Sequence, residues 1–233
     1  MSTVLEMRDV HRGYGSGPTR VIALDGVDLT VAAGEFVAVM GPSGSGKSTL
    51  LNLAGGLDSP SSGSIRIEGF DLAGLDAAGL ARVRRRSIGV VFQSFNLLPQ
   101  LTAVENVMLP LELDGLAPRM ARRDAESALR EVGMLERAGR YPDDLSGGEQ
   151  QRVAIARAVV GERRLILADE PTGALDTVTG EAVAELIAQR AAQGSAVVMV
   201  THEPRLASYA DRVVWLRDGR VVNGADAPVG VTR

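Results

Sequence analysis

Cysteine is absent from the 233 residues, which excludes disulfides and thiolate metal sites and fits a reducing cytoplasm. Aromatic residues are scarce, at 3%, so aliphatic side chains have to build the core. A surplus of positive charge is missing too. The 25 basic residues are outnumbered by 29 acidic ones, a net charge of −4, and no electrostatic footprint for nucleic acid results. No apolar run reaches 18 residues, and Met1 to Arg12 lacks the apolar centre of a signal peptide. The chain is therefore expected to reach a membrane only through a partner. The last shortage is the most informative. Of all the basic residues, only Lys47 is a lysine.

What is present around Lys47 gives that scarcity a meaning. The segment Gly41-Pro42-Ser43-Gly44-Ser45-Gly46-Lys47-Ser48-Thr49 is a complete P-loop. It follows the apolar run Phe36–Met40, expected as a strand, and opens an expected helix over Lys47–Ala54. Glycines let backbone N–H groups curl around phosphate oxygens, and a helix N-terminus adds a favourable dipole. A compact ammonium fits between phosphates where a planar guanidinium would not. Lys47 is thus expected on the β- and γ-phosphates and Ser48 on Mg²⁺.

The length suits one compact domain with lobes, and 45% hydrophobic residues suffice for a sizeable core. Further apolar runs at Ile88–Phe92, Leu165–Ala168, Ala196–Val200 and Val213–Leu216 read as buried strands of a mostly parallel sheet with crossover helices. Segments around Leu5–Val10, Ala23–Val31 and Ser64–Ile67 read as more exposed strands. Between Gln93 and Leu145 the pattern becomes helical. Thr102 and Glu105 are placed for a capping box opening a helix to about Leu113, and Met120–Val132 has helical spacing. The expected fold is α/β: a P-loop NTPase (RecA-like) core over 1–92 and 146–233, an N-terminal antiparallel β region, and an inserted helical subdomain over 93–145.

Two more motifs carry chemistry. Leu165 to Ala168 run into Asp169 and Glu170, where one carboxylate can hold a Mg²⁺ hydration sphere and the next can polarise a water. Leu145-Ser146-Gly147-Gly148-Glu149-Gln150-Gln151-Arg152 places a Ser146/Glu149 capping box at the head of an apolar-periodic helix. A cap explains the serine and the glutamate. It does not explain two glycines in a first turn, each costing about 1 kcal/mol against alanine. Bare N–H groups there would make a second anion site.

This last segment resembles the signature motif of the ATP-binding cassette (ABC) ATPases, and the order of motifs agrees from end to end. The resemblance implies ATP and Mg²⁺ as ligands. It implies that Ser146, Gly147 and Gly148 meet the γ-phosphate of ATP held by a second copy, in a head-to-tail dimer. Tyr14 matches the aromatic that stacks on adenine, with a Gly-flanked turn tyrosine as the alternative. Gln93 matches a residue sensing Mg²⁺ and water, Asp169 the Mg²⁺-associated aspartate and Glu170 the catalytic glutamate. Asp176 matches the loop crossing between subunits, and His202 the histidine on the γ-phosphate. Two departures are small: Gly161–Arg164 replaces a turn often containing proline, and Gly173 stands where many relatives have serine.

Three longer strings, at Phe36–Gly46, Phe92–Pro99 and Pro171–Asp176, are similar to the ATPases of lipoprotein-releasing, macrolide-exporting and peptide-exporting systems. The implied role is to drive an integral-membrane permease from the cytoplasmic face of a bacterial inner membrane. A soluble ABC ATPase outside transport and a non-hydrolytic binding module are the alternatives. The apolar stretch Phe95–Leu101 either couples to a permease or belongs to the lobe's own core. The arginine run at Arg82–Arg86 reads as a solvated helix face.

Overall fold

The computed structural model describes residues 2–222; the end of the expected core segment, 223–233, and Met1 lie outside the described residues. Two sheets divide the strands. Long strands β1 (Thr3–Tyr14) and β2 (Val21–Ala32) pair antiparallel. With β4 (Ser62–Ile67) and β5 (Phe70–Asp71), they form a four-stranded sheet in the order β2-β1-β4-β5. β1 and β2 run beyond the expected limits because their register shifts repeatedly, with Asp9 at φ +46°, so sequence alternation breaks while pairing continues. They are also less exposed than expected. Leu5, Met7, Val10, Leu24, Val27 and Val31 are buried on one face.

The second sheet has the order β10-β9-β3-β8-β7-β6. Its parallel members are β3 (Phe36–Met40), β6 (Ile88–Val91), β7 (Leu165–Asp169), β8 (Ala196–Val200) and β9 (Arg212–Arg217). The short β10 (Arg220–Val222) closes the edge antiparallel. The five apolar runs are all strands of this sheet, with ends within a residue of those expected. Both faces are covered, which is why these runs are continuously apolar. Val37, Val39, Leu165, Leu167, Val198 and Val200 pack towards the antiparallel sheet and helix α1 (Lys47–Ala54). Phe36, Ile166, Ala168, Val197 and Met199 pack the other way.

Helix α2 (Ala77–Ser87) leads into β6 and carries the arginine run. The run is more than a solvated face: Arg84 donates to the Gly56 carbonyl at 2.8 Å, and Arg85 and Arg86 both hold Asp114. Between β6 and β7 come α3 (Ala103–Leu113), α4 (Pro118–Glu131) and α5 (Gly147–Val159). The Thr102/Glu105 capping box forms as expected, with Thr102 N–H donating to Glu105 at 2.8 Å. Buried Ala121, Ala125, Ala128 and Leu129 of α4 join Val104, Val107 and the α5 residues Val153 and Ile155 in one cluster with the parallel sheet. The helical segment therefore shares its core with the sheet. Helix α6 (Thr177–Ala192) lies between β7 and β8, and the short α7 (Pro204–Ala207) between β8 and β9. Among the described residues no helix is long and apolar enough to cross a membrane.

Candidate nucleotide site

Parallel strands deliver their following residues to one edge. Val39 is level with Val200, Val200 with Asp169, and Ala168 with Val91. Gly41, His202, Glu170 and Gln93, which come just after these strand ends, consequently emerge together at the C-terminal edge, where open α/β sheets bind ligands. A cleft of about 450 Å³ opens there, lined by the P-loop, Gln93, Asp169, Glu170 and His202, with Val21, Ile22 and Ala23 of β2 along one side.

The P-loop is held by close backbone approaches that demand glycine. Gly41 has φ +152°, and a Cβ on it would lie 2.0 Å from the Leu216 carbonyl oxygen. Gly46 has φ +104°, and its Cβ would lie 2.3 Å from the Ala23 oxygen. The loop is thus wedged between β9 and β2. Lys47 Nζ donates to the carbonyls of Gly41 and Pro42, 2.8 Å each, which fixes the ammonium over the loop mouth. Gly46 is the N-cap of α1 and offers no side chain, so the first-turn N–H groups stay open to the cleft. Ser43, Gly44, Ser48 and Thr49 line it with them. Pro42 and Ser45 do not. Ser45 is buried, its carbonyl accepting from Gly219 N–H at 3.1 Å, so it fastens the loop to the β9–β10 turn.

Consecutive strand residues point to opposite faces, so Asp169 and Glu170 would not ordinarily share a cleft. Glu170 breaks the alternation with φ +47°, a left-handed conformation that is uncommon for glutamate. Its N–H is held by the Val200 carbonyl at 3.0 Å. Strain of this kind gathers at functional sites. The Glu170 side chain is largely buried and meets His202 Nδ1 at 2.9 Å. Donating this hydrogen bond to the Glu170 carboxylate holds the His202 imidazole above its ordinary pKa.

The other expected residues stand apart from this cleft. Tyr14 ends β1 opposite Val21, its hydroxyl donates to Asp58 at 2.9 Å, and the Arg12 guanidinium lies 4.6 Å over its ring. Ser146 caps α5 as expected: Ser146 N–H donates to Glu149 at 2.9 Å and Glu149 N–H to Ser146 Oγ at 3.3 Å. Ser146 and Gly147 are exposed. The two glycines differ. A Cβ on Gly148 would sit 3.2 Å from the Ala174 carbonyl oxygen, so close packing asks for that glycine, whereas a Cβ on Gly147 would meet only the Phe95 ring, at 3.9 Å. Packing thus leaves Gly147 unexplained. Asp176 is exposed and caps α6, accepting from Thr179 N–H at 3.0 Å. Gly173 has room for a side chain, its Cβ meeting nothing nearer than 3.6 Å.

Mg²⁺ prefers oxygen ligands and keeps several waters and substrate phosphates, so it needs few protein groups. Ser48, Gln93 and Asp169 share the cleft and suit that demand. Among the described residues no cluster of three His, Cys, Asp or Glu side chains offers a different kind of metal centre. Arg157, which nothing in the sequence singles out, reaches from α5 to the carbonyls of Phe95 and Asn96 just after Gln93.

A P-loop after the third strand, an acidic pair at the end of β7 and a capped Gly-Gly helix on the same chain define a nucleotide-binding cassette. The chain belongs to the ABC transporter family, whose profile matches residues 24–173. It is 52% identical over 223 residues to the lipoprotein-releasing system ATP-binding protein LolD of Geobacter metallireducens, covering 95% of this chain and 99% of that one. It is 47% identical over 219 residues to the uncharacterized ABC transporter ATP-binding protein YknY of Bacillus subtilis, covering 94% and 95%. Against the macrolide export ATP-binding/permease protein MacB of Marinobacter nauticus, identity is 47% over 97% of this chain but only 35% of that longer one. A dimeric bacterial ABC transporter cassette superposes with TM-score 0.90 at 43% identity, covering 94% and 97%. A dimeric post-hydrolysis cassette bound to ADP and Pi gives 0.89 at 42%, with the same coverage.

Proposed function

We propose that this chain hydrolyses ATP at two composite sites of a head-to-tail dimer and thereby drives a membrane permease. One observation carries the reading. The cleft holds every group needed on one side of a triphosphate, while Ser146 and Gly147 stand exposed outside it. The P-loop N–H groups and Lys47 bind the phosphates; Ser48, Gln93 and Asp169 would hold Mg²⁺, which would supply charge neutralisation there. Glu170 accepts a proton from the attacking water; the water oxygen bonds to Pγ as the bond to the ADP oxygen breaks. His202, turning from Glu170, donates to the γ-phosphate. The Ser146 hydroxyl accepts from Glu149 and keeps its own proton to donate to the γ-phosphate of the opposite copy. Adenine stacks on the Tyr14 face away from Arg12, and Asp176 lies at the subunit junction.

The helical subdomain, 93–145, faces the permease. A groove of about 240 Å³ beside it is lined by Ile88, Val90, Phe92, Leu109, Pro110 and Leu113. Leu97 packs into the lobe core while Leu98 is exposed, so Phe95–Leu101 serves both core and surface. The working location is the cytoplasmic face of the membrane. Steady-state phosphate release by the purified chain tests the reading: turnover that Glu170→Gln abolishes supports it, and turnover that Glu170→Gln leaves intact refutes it.

A further inference from the structure

Two consecutive non-glycine residues just after Gln93 are left-handed, Phe95 at φ +57° and Asn96 at φ +50°. Asparagine tolerates this region; a bulky phenylalanine there is an outlier that its surroundings must hold. One side chain does so. Arg157 of α5 donates from Nη2 to the Phe95 carbonyl at 2.7 Å and from Nη1 to the Asn96 carbonyl at 2.6 Å. The two bonds use two nitrogens of the planar guanidinium fork, one for each carbonyl, whereas a lysine at this position would have a single nitrogen on a flexible stem to offer both. Burial lowers the Arg157 pKa, and among the described residues no carboxylate pairs with it, so the two carbonyl dipoles are what this charge rests on.

Both ends of α5 touch the same loop. Near its C-terminal end, α5 is pressed onto β6: a Cβ on Gly89 would lie 1.9 Å from the Ala158 carbonyl oxygen. β6 is the strand that leads into Gln93. At the N-terminal end the Phe95 ring lies beside Gly147, in the first turn after Ser146. Ten residues of helix, about 15 Å, separate Gly147 from Arg157. The loop over 93–96 is therefore clamped to α5 at its foot and touches it at its head.

We propose that Arg157 is a positioning residue for Gln93, holding the left-handed turn so that Gln93 and the Ser146–Gly148 helix end move as one body. Resting on the function proposed above, this gives Arg157 a part in turnover although it lines no part of the nucleotide cleft. Closure of the opposite copy on Ser146 would then be felt at Gln93 through a single stiff connection.

A double-mutant cycle in steady-state ATP hydrolysis tests the proposal, using Arg157→Lys, Gln93→Ala and the pair. Arg157→Lys keeps the charge and stem but loses the fork. Its expected effects are unchanged affinity of the single chain for a fluorescent ATP analogue and a kcat about tenfold lower. In the Gln93→Ala background the same substitution should change kcat by less than about twofold, because the residue it positions is gone. Equal losses in both backgrounds, an undiminished kcat, or failure of Arg157→Lys to fold would each overturn the positioning role. A wild-type chain without turnover, or a Gln93→Ala chain as fast as wild type, would instead overturn the proposed function on which it rests.

Discussion

Helices α1 and α5 both end in glycine-rich N-termini, yet they are built in opposite ways. The α1 terminus has Gly46 as its N-cap and no side-chain cap, and lies in a cleft wedged between β9 and β2. The α5 terminus carries its own Ser146/Glu149 capping box, which takes up the Glu149 N–H, and it stands exposed. An uncapped terminus is tolerable where a ligand completes it, while a capped one is stable alone and free to wait for a partner. On the proposed function, the difference assigns phosphate binding to one chain and completion of the catalytic site to a second.

The largest expected effect strikes the α1 side. Lys47→Ala should lower turnover at least about 100-fold, as removing a charge aimed at the transferring phosphate does. Phosphate release at a rate near wild type would break the comparison at its stronger half. On the α5 side, Gly147→Ala should leave thermal stability unchanged or slightly higher, since its Cβ would meet only the Phe95 ring, at an ordinary contact distance of 3.9 Å, and alanine suits a helix better. Turnover should nevertheless fall about tenfold, because the added methyl blocks approach to a phosphate. A fully active, stable Gly147→Ala chain would remove the reason for calling this terminus an anion site.

Gly148→Ala sharpens the contrast between neighbours. Its Cβ would crowd the Ala174 carbonyl oxygen at 3.2 Å, so a stability loss of about 1 kcal/mol is expected, read as a lower denaturation midpoint. The smallest effect belongs to His202. The folded-state pKa is raised by Glu170, so the stabilisation is full below the unfolded imidazole value of about 6.5 and is lost as pH rises through the higher folded value. Thermal melts of wild type and His202→Ala should therefore converge above that window and separate below it. His202 is 70% exposed, which keeps the separation small.

Much of this was legible because it is local. The P-loop, both capping boxes and the apolar strands rest on residues within a few positions of one another, and periodicity and spacing report them directly. Glu170 could be named from its neighbours, but not the left-handed turn that swings it beside Asp169. Ser45 read as one more phosphate-facing loop residue, and only its bond to Gly219 turns it away. The signature glycines read as one feature, and a carbonyl at Ala174 divides them. Arg157 was silent in the sequence, one arginine among many, because its partners lie about sixty residues upstream and their strain is visible only as backbone angles.

The central claim is that the two halves of each site come from different chains. Sedimentation equilibrium of the Glu170→Gln chain at saturating ATP and Mg²⁺ tests it most directly, because binding persists while reopening by hydrolysis is blocked. The expected mass is twice the 24.5 kDa of one chain, returning to 24.5 kDa when ATP is omitted. A mass of 24.5 kDa in both conditions, with ATP bound, would contradict it.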